Sequence, residues 1–496
     1  MSATHNSPLR ILMMAAEVAP LAKTGQVAEV THALAAALRG LGHDVRLAIP
    51  RYHHITKEQF GLQPLAEPFL VPLDDHGELA TAYGARVGAN LPIYLVDHPK
   101  FFGNGASSLY ADDAERFIFY ARATLELLKQ PQVNWQPDVI HCHDWQTAIV
   151  PNWLETIYKD DPFFRSTGTV LTIHRLSHQG IFGYRVLEVA GLEKYGFLYH
   201  AEIADLADLV DLLGRGVYYA DAITTVSRHY AQQIQTPEFG ERLDPLFRER
   251  SDRLFGVTNG IDTDAFDPAR DPHLVLPFDL ATLERRAANK AALQRAFGLA
   301  QSPRTPLVGM VSRLSDDKGL DLFTGILDAL LAHLDLQFAI VGVGEQKYHE
   351  LLSGYARLYP QRFGLRLTFN DGLERQVYAG SDMFLMPSHV EPCGLGQMIA
   401  MRYGSVPIVH ATGGLADTVQ NYDPESRSGN GFSFEAYETL ALYTAIVRAS
   451  EIYRHPELWL PLQKRGMATD FSWAKPAAEY VEIYRRAQAA HLASRA

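Results

Sequence analysis

The chain is 496 residues long, 47% hydrophobic and 21% charged, with a formal net charge of −12. That length exceeds what one hydrophobic core supports, so two domains are expected. The acidic balance argues against a nucleic-acid or anionic-membrane partner, and two cysteines, Cys142 and Cys393, exclude a disulfide framework or a four-cysteine zinc site.

Residues 1–10 are polar, and the apolar stretch after them is broken by Glu17 and Pro20. Neither a signal peptide nor a spanning helix is expected, and the cytoplasm is the expected compartment. A strand is predicted over Ile11–Ala16, then a loop with Pro20 and Gly25. A helix follows, with Val30, Leu34, Leu38 and Leu41 at helical spacing. Gly42-His43-Asp44 turns the chain into a strand at Val45–Pro50, which makes a right-handed βαβ unit. Further strands are predicted at Val139–His143, Val170–His174 and Ala222–Ser227. The Asp- and Pro-rich stretch Asp262–Asp279 reads as a hinge. A helical segment, Leu283–Phe297, precedes a second α/β run with strands at Leu307–Ser312, Phe338–Val343, Leu365–Phe369, Met383–Met386 and Val406–Val409. A last helix carries Tyr480 and Tyr484 at helical spacing.

Several strand ends carry chemistry. Lys23 and Gly25 lie in the first loop, where Gly25 permits close backbone approach and Lys23 offers a cation; a surface turn with a solvated lysine is the plainer reading. In His141-Cys142-His143-Asp144-Trp145, alternation puts His141 and His143 on one face, as in a metal pair, but no third ligand is evident. Asp144 also reads as a helix cap. Thr172-Ile173-His174 ends the next strand, and a single histidine is more often structural than catalytic. Arg313 and Lys318 share one strand–loop–helix turn and could converge on a diphosphate, Arg as a planar fork and Lys as a point charge.

Residues 388–417 are the richest stretch. Two apolar runs, Met383–Pro387 and Val406–Val409, stop at turn residues on either side of a helical segment, Leu395–Tyr403. In open α/β sheets ligands bind outside such strand ends. The first loop presents Glu391. The second, Thr412-Gly413-Gly414, can bring bare backbone N–H groups up to an anion. A carboxylate beside a diphosphate cradle points to an enzyme acting on a sugar nucleotide.

This segment resembles the glutamate signature and Gly-Gly loop of bacterial glycogen synthases and plant starch synthases (glycosyltransferase family 5), and the likeness runs from about Ile11 to about Tyr484. It implies an α/β fold of GT-B architecture, with two Rossmann-like domains facing a central cleft. Their expected bounds are 1–264 and 265–472, with a helix over 473–496 crossing back to the first. The implied activity is retaining transfer of glucose from ADP-glucose to the non-reducing end of an α-1,4-glucan. By resemblance, Arg313 and Lys318 stabilise the leaving diphosphate. Glu391 holds the sugar and supports positive charge at its anomeric carbon, while Asp144, His174 and Asn259 orient the glucose. Lys23, Gly25, Cys393, Gly394, Leu395, Thr412, Gly413 and Gly414 bind the donor. No Asp-x-Asp motif lies at the cleft positions, so the two cations are expected to replace a metal and no cofactor is expected. The implied partners are a nucleotide sugar and an α-glucan.

The chain departs from the family pattern at named positions. Gln26 and Val27 stand in the Lys-x-Gly-Gly-Leu loop, Glu29 replaces an Asp, and Arg175-Leu176-Ser177-His178 replaces Asn-Leu-Ala-Tyr. Gly214-Arg215-Gly216 replaces a lysine-containing segment. Two other readings therefore stay open: a different donor or acceptor, and a catalytically silent glucan-binding relative. The presence of Lys23, Arg313, Lys318 and Glu391 in one chain argues against the second.

Overall fold

The computed structural model describes residues 7–495 apart from 75, 89, 104–113, 197 and 199–208. It forms two units, Met1–Asn259 with Trp473–Ala496, and Gly260–Ser472. The division lies at 259/260, five residues before the sequence-based boundary.

In unit 1, strand β1 (Arg10–Met14) buries Ile11, Leu12, Met13 and Met14 in succession. Such an unbroken apolar run marks a strand covered on both faces. Helix α1 (Gln26–Gly40) buries Val30, Leu34 and Leu38 along one stripe. It leads to β2 (Asp44–Pro50), parallel to β1 with Ile11 opposite Val45. The chain then makes an antiparallel excursion that the sequence reading did not include: β3 (Phe69–Leu73), β4 (His76–Val87) and β5 (Leu91–Asp97). Strand β3 alternates buried and exposed positions and carries Pro72 on its outer side, so its signal is weak.

Helix α2 (Ala114–Leu128), β6 (Val139–His143), β7 (Gly168–Ile173), α3 (Leu212–Tyr219), β8 (Ala222–Thr225) and β9 (Leu254–Gly256) follow. The sheet order is β9-β8-β7-β6-β1-β2-β5-β4, with β3 and the short strand Gln63–Pro64 both on β4. After β1 the chain builds towards β2 on one side, then returns to place β6 on the other. The order therefore reverses between β1 and β6, where α/β sheets open a crevice at their carboxyl ends.

Unit 2 contains α4 (Arg286–Phe297), β10 (Leu307–Val311), α5 (Leu320–His333), β11 (Gln337–Val341), α6 (Gln346–Leu358) and β12 (Phe363–Arg366). It continues with α7 (Asp371–Gly380), β13 (Met383–Met386), α8 (Gly396–Arg402), β14 (Val406–His410), α9 (Gly413–Thr418), β15 (Phe432–Phe434), α10 (Thr439–Tyr453) and α11 (Pro456–Ala468). All pairings are parallel, in the order β12-β11-β10-β13-β14-β15. Here the reversal lies between β10 and β13. Strand β12 begins two residues before its expected start and ends at Arg366. The 262–279 stretch, expected as a hinge, is packed into this unit. Asp271 accepts hydrogen bonds from Arg375 at 3.1 Å and Tyr403 at 2.5 Å.

Helix α12 (Ala474–Ser494) belongs to unit 1. It buries Tyr480, Tyr484 and Ala487. A Cβ at Gly168 of β7 would lie 2.9 Å from the Gln488 backbone, so the helix rests directly on the sheet. Near its end His491 sits 3.2 Å from Asp221 and 3.5 Å from Glu155, and Arg495 pairs with Glu155 at 3.0 Å. These three ligand-type side chains could surround an ion, but Arg495 already supplies positive charge there. No described helix is long and apolar enough to cross a membrane.

Candidate active site

In unit 1 the candidate residues follow strands at or beside the reversal, except Asn259, which lies beyond the edge strand β9. The loop after β1 is organised by Glu17, a buried carboxylate that accepts hydrogen bonds from Thr24 N at 2.6 Å and Thr24 Oγ1 at 2.8 Å. A Cβ at Gly25 would meet only Glu17 Oε1, at 3.8 Å. The protein itself therefore does not demand glycine there, and the space is open to a ligand. Lys23 is not simply solvated: its Nζ pairs with Glu29 Oε1 at 2.7 Å, both side chains remaining over a third exposed. Gln26 is the exposed first residue of α1.

Asp144 follows β6 with φ of +56°, a left-handed conformation that non-glycine residues seldom adopt. Strain of this kind clusters at functional positions. Its Oδ1 accepts the His174 backbone N–H at 2.8 Å, so Asp144 ties the end of β6 to the end of β7 and does not cap the following helix as one reading of the sequence had it. Burial pushes its pKa up to about 7, against the lowering effect of the N–H donors of His174 and Arg175.

The nearby histidines form a stack. His141 and His143 have ring centroids 4.2 Å apart, and His143 and His174 5.2 Å. His143 Nδ1 and His174 Nε2 are 2.9 Å apart. His141 is held by Tyr484 OH at 2.8 Å and Thr172 Oγ1 at 2.5 Å. Burial lowers the pKa of His141 to about 3 and of His174 to about 4, and drives that of His143 well down. At neutral pH these are uncharged imidazoles. His143 Nε2 and Asn259 Oδ1 are buried with no hydrogen-bond partner among the described residues.

The departures from the family pattern differ in placement. Arg175 donates Nε–H to Ser177 Oγ at 2.9 Å at the edge of this region. Arg215 is buried in α3, where it donates to Asn152 Oδ1 at 3.1 Å, and burial lowers its pKa.

Unit 2 has a charged site. Lys318, in the turn after β10, donates to Glu391 Oε2 at 2.6 Å, with side chains 18% and 7% exposed. Ser388 Oγ reaches the same oxygen at 3.1 Å. The Glu391 loop is docked on the Lys318 turn, because His389 N donates to Asp317 O at 3.0 Å. Gly319 has φ of +74°, and a Cβ there would lie 2.0 Å from Pro387 O, so the close approach requires glycine. Arg313 pairs with Asp317 at 3.0 Å and is half exposed. Cys393 and Leu395 are buried, and Gln397 donates to the carbonyls of Cys393 at 3.2 Å and Gly394 at 2.8 Å.

The Gly-Gly loop corrects one expectation. The N–H groups of Thr412, Gly414 and Leu415 are not bare: Thr412 N donates to His410 O, Leu415 N to Thr412 O, and Gly414 N to the carbonyls of Glu391 and Pro392. A Cβ at Gly413, where φ is +46°, would lie 1.9 Å from Glu391 O, and one at Gly414 would lie 2.0 Å from Cys393 O. The glycines therefore let α9 press against the backbone of the Glu391 loop and hold that carboxylate in place.

The structure gathers Asp144, His174 and the loop of Lys23 and Gly25 in unit 1, with Asn259 beyond β9. It gathers Arg313, Lys318, Glu391, Cys393, Gly394, Leu395, Thr412, Gly413 and Gly414 in unit 2. Sequence reasoning missed Glu17, Ser388, Asp317 and the partner role of Tyr484. Glu17 had a signal, being a carboxylate inside an apolar run.

Residues 10–249 match the family described as starch synthase catalytic domain, and residues 296–457 match glycosyl transferases group 1. A glycogen synthase from Moorella thermoacetica is 46% identical over 487 residues, covering 97% of this chain and 97% of that protein. One from Thermotoga maritima is 39% identical, covering 97% and 99%. Among solved structures, the catalytic domain of starch synthase IV from Arabidopsis thaliana, bound to ADP and acarbose, matches with a TM-score of 0.88 at 33% identity, covering 97% and 100%. A sucrose-phosphate synthase from Thermosynechococcus elongatus, at 16% identity and a TM-score of 0.58 over 97% and 100%, shares the fold alone.

Proposed function

Since this chain belongs to the glycogen and starch synthase family of glucosyltransferases, we propose that it moves glucose from ADP-glucose to the non-reducing end of an α-1,4-glucan, with retention and without a metal cofactor. The observation that carries this reading is the Lys318–Glu391 pair at the strand-order reversal of unit 2, with Arg313 on the same turn. As the bond to the diphosphate breaks, negative charge grows on the leaving group, and preorganised cations stabilise it. Lys318 and Arg313 take that role. Arg313 exchanges its exposed carboxylate partner for phosphate at little cost. Glu391 supplies the negative charge that supports a cationic anomeric carbon.

The unit 1 residues take the sugar. A neutral His174, the carboxylate of Asp144 and the unpartnered Oδ1 of Asn259 suit hydroxyl groups, which both donate and accept hydrogen bonds. Lys23 serves the donor phosphates once released from Glu29. The nucleotide assignment is supported by the Arabidopsis starch synthase, which holds ADP, the species left when glucose departs from ADP-glucose. The compartment proposed is the cytoplasm, whose reducing conditions suit two buried free thiols.

The deciding experiment is a panel of radiolabelled nucleotide sugars with glycogen as acceptor. Label from ADP-glucose should enter the polymer fastest. Faster transfer from another nucleotide sugar overturns the donor assignment, and no transfer from any donor overturns the assignment of an active transferase.

A further inference from the structure

His143 is buried in the histidine stack and has no role in the assignments above. We propose that His143 is a positioning residue: it donates Nδ1–H to Nε2 of His174 and so locks His174 as the Nδ1–H tautomer, a hydrogen-bond donor towards the bound sugar. The inference rests on the reading of His174 as a sugar-orienting residue.

Only one proton can lie between two uncharged rings whose nitrogens are 2.9 Å apart. If His174 were the donor, His143 would carry its own N–H at Nε2. That atom is enclosed and has no partner among the described residues. If His143 is the donor, Nε2 is a bare lone pair. Buried N–H groups without an acceptor are rarer than acceptors without a donor, so the second arrangement is favoured. His174 must then carry its proton at Nδ1, which makes no hydrogen bond to a described residue and is available to a ligand oxygen.

The surroundings hold this arrangement. His141 lies against His143, and both of its nitrogens are engaged by Tyr484 and Thr172, so it cannot turn to serve His143 Nε2. The His143 main chain is fixed by Thr147, whose Oγ1 accepts the His143 N–H at 2.8 Å and donates to its carbonyl at 2.9 Å. The main chain of His174 is fixed by Asp144. The rings are thus set from both sides, and His143 determines which end of His174 is the donor.

The test begins with the unmodified protein, labelled with 15N-histidine and read by long-range 1H–15N correlation, with His174→Gln used for assignment. His174 should show a pyrrole-type Nδ1 and a pyridine-type Nε2; the reverse pattern overturns the proposal. In kinetics, His143→Ala should lower kcat/KM about tenfold, the worth of one hydrogen bond. His143→Asn, which restores an amide N–H at that position, should recover most of the loss. Unchanged kcat/KM in His143→Ala also overturns the proposal. Should His143→Ala fail to fold, the spectrum of the unmodified protein still decides. Full activity in His174→Ala would instead remove the sugar-orienting role of His174 while leaving the tautomer result intact, so the two failures are distinguishable.

Discussion

Unit 1 and unit 2 reverse strand order at an equivalent place and carry candidate residues beyond the strands there, but they fill those positions with opposite chemistry. At the ends of β6 and β7 the fold collects uncharged imidazoles, a carboxylate with a pKa pushed up to about 7, and an Nε2 of His143 with no partner among the described residues, while the exposed loop after β1 holds an ion pair, Lys23 with Glu29. Between β10 and β13 it collects ion pairs, Lys318 with Glu391 and Arg313 with Asp317. The first is a hydrogen-bonding surface suited to hydroxyl groups. The second holds fixed charge suited to a diphosphate and to the transition state of its departure. The shared topology supplies the positions, and the side chains decide the chemistry.

The contrast is tested most severely at Lys318. Lys318→Ala should lower kcat by ~10²–10³, the usual loss for a transition-state electrostatic group. It also leaves Glu391 buried without its cation, which for buried pairs costs roughly 3–5 kcal/mol, so the melting temperature should fall with turnover. Arg313→Ala should lower kcat by ~10² while melting almost as the parent does, because its pair is exposed. Near-parental turnover in both variants would remove the clamp.

Asp144→Asn should act in the other direction on stability. The folded-state pKa of Asp144 is raised, so its contribution is fully present below the unfolded value near 4 and is lost as pH rises through about 7. Asn tolerates positive φ and cannot ionise. The variant should therefore melt above the parent at pH 8, with the margin shrinking towards pH 5, while kcat falls by ~10–10². Parallel melting of parent and variant across this range would show that the site is not the neutral environment described.

Smaller effects probe the departures from the family pattern. The double change Gln26→Gly with Arg175→Asn should raise kcat/KM for ADP-glucose several-fold, in line with the roughly 1–3 kcal/mol at stake when a polar group lacks its partner in a ligand pocket. An unchanged or poorer double variant would mean that both side chains are accommodated. Glu29→Gln releases Lys23 and should lower the donor KM by about 2–5-fold, since exposed pairs are worth little. The smallest expected effect is that of chelation: dialysis against EDTA should leave activity unaltered, and a loss restored by Mg²⁺ or Mn²⁺ would contradict a clamp made only of side chains.

The central strands and the strand-end motifs were readable because parallel strands buried on both faces leave unbroken apolar runs that stop at turn residues. This is how β1, β6, β7, β10, β13 and β14 came out near their observed positions, and with them the strand ends after which Lys23, Asp144, His174, Arg313, Lys318 and Glu391 stand. Strands β3 and β4 were not readable, because half-exposed strands carrying Gly and Pro lose that signal; β5, buried through most of Leu91–Asp97, carried an apolar run that the sequence reading passed over. Residue identity also predicted a bare anion cradle at Thr412–Gly414, where the N–H groups of Thr412 and Gly414 are instead donated to backbone carbonyls.

Sequence alone thus determined which chemical groups stand at which strand ends, since hydrophobic pattern and turn chemistry are local. Only the tertiary structure decided what those groups meet. Lys318 finds Glu391 across 73 residues, His143 finds His174 across 31, and His141 finds Tyr484 across 343. Those partners are set by strand order and register, with His143 opposite Thr172 and therefore beside the chain end that carries His174. Burial then fixes protonation, because enclosing an imidazole or a carboxylate disfavours its charged form, and no local pattern of residues records how deeply a strand end will be covered.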